Sequence, residues 1–149
     1  MSGIIVGVDE SDHSRHALRW AMHEAVLRHL PLTVVTVRPG EARPATMIFW
    51  GLHTNSGNDD NENLVRKAVQ ELVDKVAGEN GGTLPEVTVS VATGNPAEEL
   101  VNASRDADML VVGSRGSGGF GALMMGSVSS QVTHHAVCPV VVVPSVAHL

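Results

Sequence analysis

The 149-residue sequence has little of several residue types that define common classes of protein. Its single cysteine, Cys138, excludes an internal disulfide and a paired-cysteine metal or redox centre. No apolar run approaches the ~20 residues that a membrane-spanning helix needs. The first residues lack the basic segment of a secretory signal and reach an acidic residue at Asp9. These absences predict a cytoplasmic protein that has no membrane partner.

Positive charge is also scarce, and charge of both signs is unevenly distributed. The formal net charge is −6 at pH 7, and the two lysines are Lys67 and Lys75. Nonspecific binding to a phosphate backbone needs a basic face, so we expect no nucleic-acid partner. From Met109 to Leu149 there is no aspartate or glutamate. This C-terminal quarter can therefore receive an anion without repelling it.

Short apolar runs alternate with segments of helical periodicity along most of the chain. The runs are rich in β-branched residues, as buried strands are, and they lie at residues 4–8, 32–37, 87–91, 109–112 and 140–143. Helices are predicted between them, starting after Ser11 or Asp12, over residues 64–76 with Gly78 as the stop, from Asn95, and over residues 127–136. This alternation predicts one α/β domain over residues 1–149, with a Rossmann-like, doubly wound parallel sheet of five strands in the order 3-2-1-4-5 and helices on both faces.

Residues 38–60 form the longest stretch without periodicity and are rich in glycine, proline and asparagine. We predict a flexible loop there. The loop contains an apolar run at residues 47–50. Two interpretations of this run stay open, because it can fold back onto the domain or serve as a lid or partner surface.

A glycine-rich turn follows the fourth predicted strand. It begins with Gly-Ser-Arg-Gly at residues 113–116 and continues, after nine further residues, with Gly126 and Ser127 at the start of a predicted helix. Glycine lets a ligand approach the backbone closely and permits positive φ, and the unpaired N–H groups of a helix start attract anions. Ser127 can cap that helix and offer a hydroxyl to phosphate. In a sheet of this order the ligand crevice opens at the carboxyl ends of strands one and four, so the spacing predicts a phosphate-binding turn.

Other glycine motifs fit this segment less well. The literal G-x-G-x-x-G at residues 116–121 is not in the first strand-to-helix turn and has no acidic residue after it. A Walker loop needs a lysine beside the phosphates, and both lysines belong to the second predicted helix. No serine of the turn has glycines two residues before and two after it, as a hydrolase elbow requires. The sequence therefore offers neither a P-loop nor a serine nucleophile.

The pattern G-x2-G-x9-G-[S/T], together with Ile-Val-Gly-Val-Asp at residues 5–9 and the ending over residues 126–144, resembles the ATP-binding branch of the universal stress protein family. The resemblance covers nearly the whole chain except residues 38–60. It implies that Asp9 contacts the ribose or adenine with Gly7 and Val8 beside it, and that Val37 meets adenine through its backbone. It implies further nucleotide contacts around the turn, at Val112, Gly113, Ser114, Arg115, Gly116, Ser117, Gly118, Gly126, Ser127, Val128 and Ser129.

Two residues near this site carry alternatives. Arg115 can pair with a phosphate or face solvent. Asp9 can ligate Mg²⁺ carried by the nucleotide, whereas we favour Asp12 as a helix cap. Glu10 departs from the family pattern, which usually has glycine there, so the turn after Asp9 can differ in shape.

The resemblance implies a stress-response regulator that binds ATP, with AMP or cyclic AMP as alternatives. It also implies a homodimer through strand Val140–Val143, whose exposed edge would otherwise pair with other chains. We expect no enzymatic activity beyond slow ATP hydrolysis, because the sequence offers no general base or lysine for the γ-phosphate. Two other functions stay open: an interaction module without nucleotide, and a weak Mg²⁺-dependent ATPase or adenylate-forming enzyme.

Overall fold

A computed structural model describes residues 3–9, 11–38, 58–114 and 126–144 of the chain. The strands within these ranges are β1 (Ile4–Gly7), β2 (Leu32–Arg38), β3 (Val87–Thr93), β4 (Met109–Gly113) and β5 (Val140–Val143). The helices are α1 (Asp12–Arg28), α2 (Asn58–Asn80), α3 (Pro96–Ala103) with a 3-10 turn at Ser104–Asp106, and α4 (Ser127–His135). Strands and helices alternate as the sequence predicts.

The five strands form one sheet in the order β3-β2-β1-β4-β5, and every neighbouring pair is parallel. The predicted strand order is therefore confirmed. The register sets Gly7 opposite Val35 and Val6 opposite Val111. Strand β1 has β2 on one side and β4 on the other, so the winding of the chain reverses at β1.

Apolar side chains cover both faces of the sheet. On one face Val6 and Val34 pack with Leu18 of α1 and Val69 of α2. On the other face the buried residues come from the sheet and from the two shorter helices, and they include Leu100, Leu110, Val112 and Val132. Full burial of each such side chain contributes on the order of 2 kcal/mol. The prediction of helices on both faces is confirmed.

The start of α1 corrects one predicted cap. Ser11, with extended backbone, is the N-cap of α1, and its hydroxyl oxygen accepts a hydrogen bond from the Ser14 N–H. Ser11, one of the two predicted cap residues, is therefore confirmed, whereas Asp12 is the first helical residue and its favoured role as the cap was wrong. Helix α3 starts as predicted, because Asn95 Oδ1 accepts from the Glu98 N–H at 3.1 Å.

Helix α2 runs past its predicted stop. Gly78 lies inside the helix, and the left-handed residue that follows the helix is Gly81, at φ +62°. The last turn is held against α1, because Arg19 pairs with Glu79 at 2.5 Å and Asn80 Nδ2 contacts Met22 Sδ at 3.8 Å. A single exposed helical glycine costs only about 1 kcal/mol relative to alanine, which does not by itself end a helix.

The predicted loop over residues 38–60 is shorter at both ends. Arg38 is the last residue of β2, and residues 58–60 already belong to α2. Residues 39–57, with the apolar run at 47–50, lie outside the described residues.

Within the described ranges, no helix is both long and apolar enough to span a bilayer.

Candidate functional site

The carboxyl ends of β1 and β4 meet where the winding reverses. Continuing the register of these strands places Val8 level with Gly113, and the register with β2 places Asp9 level with Val37. The Val8 N–H still bonds to the Val35 carbonyl at 2.9 Å, so Asp9 is the first residue beyond the sheet. The fold therefore brings the predicted residues of the first, second and fourth strands together at the carboxyl ends of these strands.

A compact network of hydrogen bonds joins Asp9 to the start of α1. Asp9 Oδ1 accepts from the Ser11 N–H at 2.8 Å, from Ser11 Oγ at 2.5 Å and from Ser14 Oγ at 2.8 Å. The Asp9 N–H donates to Ser14 Oγ at 2.6 Å. Hydrogen bonds to a carboxylate are stronger than those between neutral groups. The turn after β1 thus holds one carboxylate oxygen by three donors.

The turn after β4 is closed at its base by the backbone. Ser114 continues the sheet, since its N–H donates to the Val143 carbonyl at 2.9 Å. The Ser114 carbonyl accepts from the Gly126 N–H at 2.7 Å and from Ser129 Oγ at 2.9 Å. The chain leaves the sheet at Ser114 and returns at Gly126 beside it. Arg115, Gly116, Ser117 and Gly118, which the sequence assigns to the site, lie outside the described residues.

Gly126, and not Ser127, is the N-cap of α4. Gly126 has extended backbone, with φ −68° and ψ 164°, and no side-chain cap is present. The prediction that Ser127 caps this helix was therefore wrong, and Ser127 is its exposed first residue. The first intrahelical bond runs from the Ser130 N–H to the Gly126 carbonyl at 3.0 Å. The N–H groups of Ser127, Val128 and Ser129 precede that bond and have no partner among the described residues.

The glycines at this end of the sheet differ in what they require. Positive φ occurs among the described glycines at Gly3, Gly81, Gly82 and Gly94, but not at Gly113 or Gly126. A side chain at those two positions is therefore conformationally allowed. Gly7 is restricted by space, because a Cβ there would lie 2.9 Å from Leu100 Cδ1 on α3.

Two predicted site residues have side chains directed into the protein. Ser129 is 2% exposed, and its hydroxyl bonds to the backbone of Ser114 and Gly126. Val112 is buried against the α3 and α4 layer. Their side chains form the floor under this end of the sheet, and the backbone groups of Val112 are used in the ladder to β5.

Sequence reasoning missed Ser11 and Ser14 as hydrogen-bond partners of Asp9 at this end of the sheet. The available signal was the spacing Asp-x-Ser-x-x-Ser over residues 9–14. A serine on the inner face of a helix needs a polar partner when it is buried, and Ser14 is only 5% exposed.

The described residues offer neither a metal-ligand cluster nor a reactive thiol at this end of the sheet. No group of three or more histidine, cysteine, aspartate or glutamate side chains is placed to hold a metal ion in the described part of the chain. Cys138 precedes β5 and therefore lies at the amino-terminal ends of the strands, away from the candidate site. Burial raises the pKa of the Cys138 thiol, and the carboxylate of Asp108 raises it further, so the thiol stays protonated near neutral pH.

The chain is similar to known sequences over nearly its whole length. The sequence model described as the universal stress protein family matches residues 1–144. A universal stress protein of Mycolicibacterium smegmatis is 36% identical over 146 residues, which cover 95% of this chain and 47% of that protein. One from Mycobacterium tuberculosis strain H37Rv is 35% identical over 148 residues, covering 95% and 47%. The chain spans about half the length of these curated relatives.

Solved structures share the fold at lower identity. Universal stress protein UspA from Lactobacillus plantarum has a TM-score of 0.69 and 22% identity, covering 95% of this chain and 97% of that one. A universal stress protein solved in complex with cAMP has a TM-score of 0.67 and 23% identity, covering 96% of each chain. A protein from Archaeoglobus fulgidus in complex with dAMP has a TM-score of 0.59 and 21% identity, covering 95% and 97%.

Proposed function

This chain belongs to the universal stress protein family, and we propose that it binds an adenine nucleotide, ATP by preference, at the carboxyl ends of β1 and β4. The observation that carries the proposal is the start of α4, where three successive backbone N–H groups lack partners among the described residues. Such groups, at the positive end of a helix, bind phosphate. The ligands cAMP and dAMP of two structural neighbours support the adenine moiety.

Each side of the crevice has its own part in this proposal. Gly113, Gly126 and the start of α4 hold the phosphates, with Arg115, Gly116, Ser117 and Gly118 completing the turn. Asp9, with Gly7 and Val8 beside it, meets the ribose or adenine, and the backbone of Val37 meets adenine. Where the nucleotide carries Mg²⁺, the Asp9 carboxylate is a hard oxygen ligand of the kind that this ion prefers.

The same geometry favours binding over turnover. No lysine lies in strands β1 or β4 or in the described parts of the turns that follow them, and phosphoryl transfer depends on such positioned charges. We propose that one cytoplasmic domain uses nucleotide occupancy to regulate its contacts with protein partners in a stress response.

Mass spectrometry of the small molecules released from freshly purified, denatured protein tests the proposal. We expect an adenine nucleotide at close to one molecule per chain. Protein that is purified empty and then fails to bind ATP, AMP and cyclic AMP in direct titration would favour an interaction module without nucleotide. Rapid, Mg²⁺-dependent ATP turnover would favour an enzyme instead.

We also propose that β5 pairs with a second copy of the chain. The ladder to β4 uses the backbone of Pro139, Val141 and Val143, so the N–H and carbonyl groups of Val140 and Val142 point to the open edge. No side chain bonds to those groups in the described part of the molecule. At the other edge, Arg66 Nη1 donates to the outward carbonyl of Val89 at 2.7 Å. The edge of β5 is thus the less protected of the two.

A proline substitution tests this dimer because it removes one outward N–H and leaves the ladder to β4 intact. We expect Val142→Pro to shift the protein from dimer to monomer in light scattering coupled to size-exclusion chromatography. The matched control is Val91→Pro, whose N–H points outward from the opposite edge, and it should remain dimeric. A dimer that persists in Val142→Pro and dissociates in Val91→Pro would place the interface at β3.

A further inference from the structure

We propose that Ser14 is a positioning residue for nucleotide binding, because its buried hydroxyl fixes both the backbone and the carboxylate of Asp9. The inference rests on the proposed function, since it concerns the same crevice. It adds to that function a residue in the first turn of α1 that acts on the ligand only through Asp9.

The hydrogen bonds of Ser14 have one consistent arrangement of protons. The Asp9 N–H can only donate, so Ser14 Oγ accepts from it over 2.6 Å. The ionised Asp9 carboxylate can only accept, so the single hydroxyl proton of Ser14 goes to Oδ1 over 2.8 Å. One hydroxyl therefore restrains the main chain and the side chain of Asp9 together.

Ser14 is better suited to this restraint than Ser11. Ser11 donates twice to the carboxylate of Asp9, but no bond joins it to the Asp9 backbone, and it lies half-exposed at the helix cap. Ser14 is 5% exposed and precedes Ala17 and Leu18, which are fully buried against the sheet. The core thus fixes the position of Ser14, and Ser14 fixes Asp9.

Removal of this hydroxyl should affect Asp9 directly. In Ser14→Ala, the Asp9 N–H loses its acceptor and the carboxylate loses its buried donor. We expect nucleotide affinity to fall about tenfold, the scale of one lost hydrogen bond to a charged group. We also expect hydrogen exchange at the Asp9 amide to speed up, whether or not nucleotide is present.

A double-mutant cycle distinguishes positioning from a general structural role. Ser14→Ala, Asp9→Ala and the double variant are titrated with ATP by calorimetry, at concentrations raised to suit the weaker variants. If Ser14 acts through Asp9, the Ser14→Ala effect disappears in the Asp9→Ala background. The matched control is Ser104→Ala, another buried serine, whose hydroxyl bonds to the Val101 carbonyl at 2.6 Å. It should lower thermal stability and leave ATP affinity unchanged.

The other outcomes overturn the proposal. Unchanged affinity in Ser14→Ala, or an equal loss with and without Asp9, would show that Ser14 does not act through Asp9. Slow exchange at the Asp9 amide in Ser14→Ala would show that the hydroxyl does not hold the backbone. A wild-type protein that binds no nucleotide would overturn the proposed function itself, and is recognised because it fails before any variant is compared.

Discussion

The two turns that meet at the reversal of the sheet are built in opposite ways. The turn after β1 is short, and side chains of Asp9, Ser11 and Ser14 satisfy one another there. The turn after β4 is long, is closed at its base by backbone bonds, and ends at a helix start whose N–H groups have no described partner. The first turn thus provides a fixed orientation, and the second provides unpaired donors.

The two turns also differ in the charge of their residues. The turn after β1 carries acidic residues at positions 9, 10 and 12, whereas the chain has no acidic residue from 109 onwards. A nucleotide has a neutral, hydroxyl-rich end and an anionic end. The comparison therefore predicts that blocking the unpaired N–H groups of the second turn abolishes phosphate binding and that variants of the first turn weaken binding.

The largest effect is expected for Gly126→Val. The backbone at Gly126 is extended, at φ −68°, so valine can adopt it and the fold should persist. Its side chain would occupy the space in front of the first N–H groups of α4. We expect binding of ATP to fall below detection in calorimetry while the circular dichroism spectrum stays that of the wild type.

Gly78→Val is the control for that substitution. Gly78 is exposed on α2, and nothing lies within 4 Å of where its Cβ would be. This variant should bind ATP as the wild type does, with equal or slightly higher stability, because valine is a better helix former than glycine. Normal ATP binding by Gly126→Val would show that the phosphates lie elsewhere.

A smaller effect is expected for Asp9→Asn. The amide keeps the shape of the side chain but removes the charge that strengthens its hydrogen bonds. We expect affinity for ATP to fall about tenfold, close to 1.4 kcal/mol, measured by titration calorimetry. Asp106→Asn, at an exposed position after α3, is the control. Equal affinities of Asp9→Asn and the wild type would remove Asp9 from the site.

The smallest effect on binding is expected for Ser129→Ala. The substitution removes one of two donors to the Ser114 carbonyl and leaves the bond from the Gly126 N–H. We expect a loss of about 1 kcal/mol in the free energy of unfolding, measured with urea, and a fall of a few-fold in ATP affinity.

Thr133→Ala removes an exposed hydroxyl bond on the same helix and should change neither quantity measurably. If Ser129→Ala abolished binding, the Ser129 hydroxyl would be a ligand contact and not part of the floor.

The fold could be predicted because its signals are repetitive. Five β-branched runs and the helical periodicity between them state the same alternation many times, and parallel connections leave few topologies. The end of the sheet where we propose the site follows from the strand order alone, since Asp9 comes just after β1 and Gly113 ends β4, the two strands beside the reversal. Membership of the family is confirmed by the match over residues 1–144.

The errors arose where one residue decides a local detail. Gly78 looks like a helix stop, but the glycine with left-handed backbone after the helix is Gly81. Asp12 and Ser127 are good capping types, but the residues before them, Ser11 and Gly126, have the extended backbone of an N-cap. These choices depend on tertiary contacts and on the exact exit of a strand, which periodicity does not report. The proposed role of Ser14 could be inferred only from its burial and from its distances to Asp9.

The most direct test of the central claim is a titration of ¹⁵N-labelled protein with ATP, followed by NMR. Binding at the carboxyl ends of β1 and β4 predicts the largest amide shifts at Asp9, Val37, Ser127 and Val128. The amide signals of Gly3 and Asp108, at the amino-terminal ends of β1 and β4, should not shift. Shifts confined to the amino-terminal ends of the strands, or no shifts at millimolar ATP, would contradict the account.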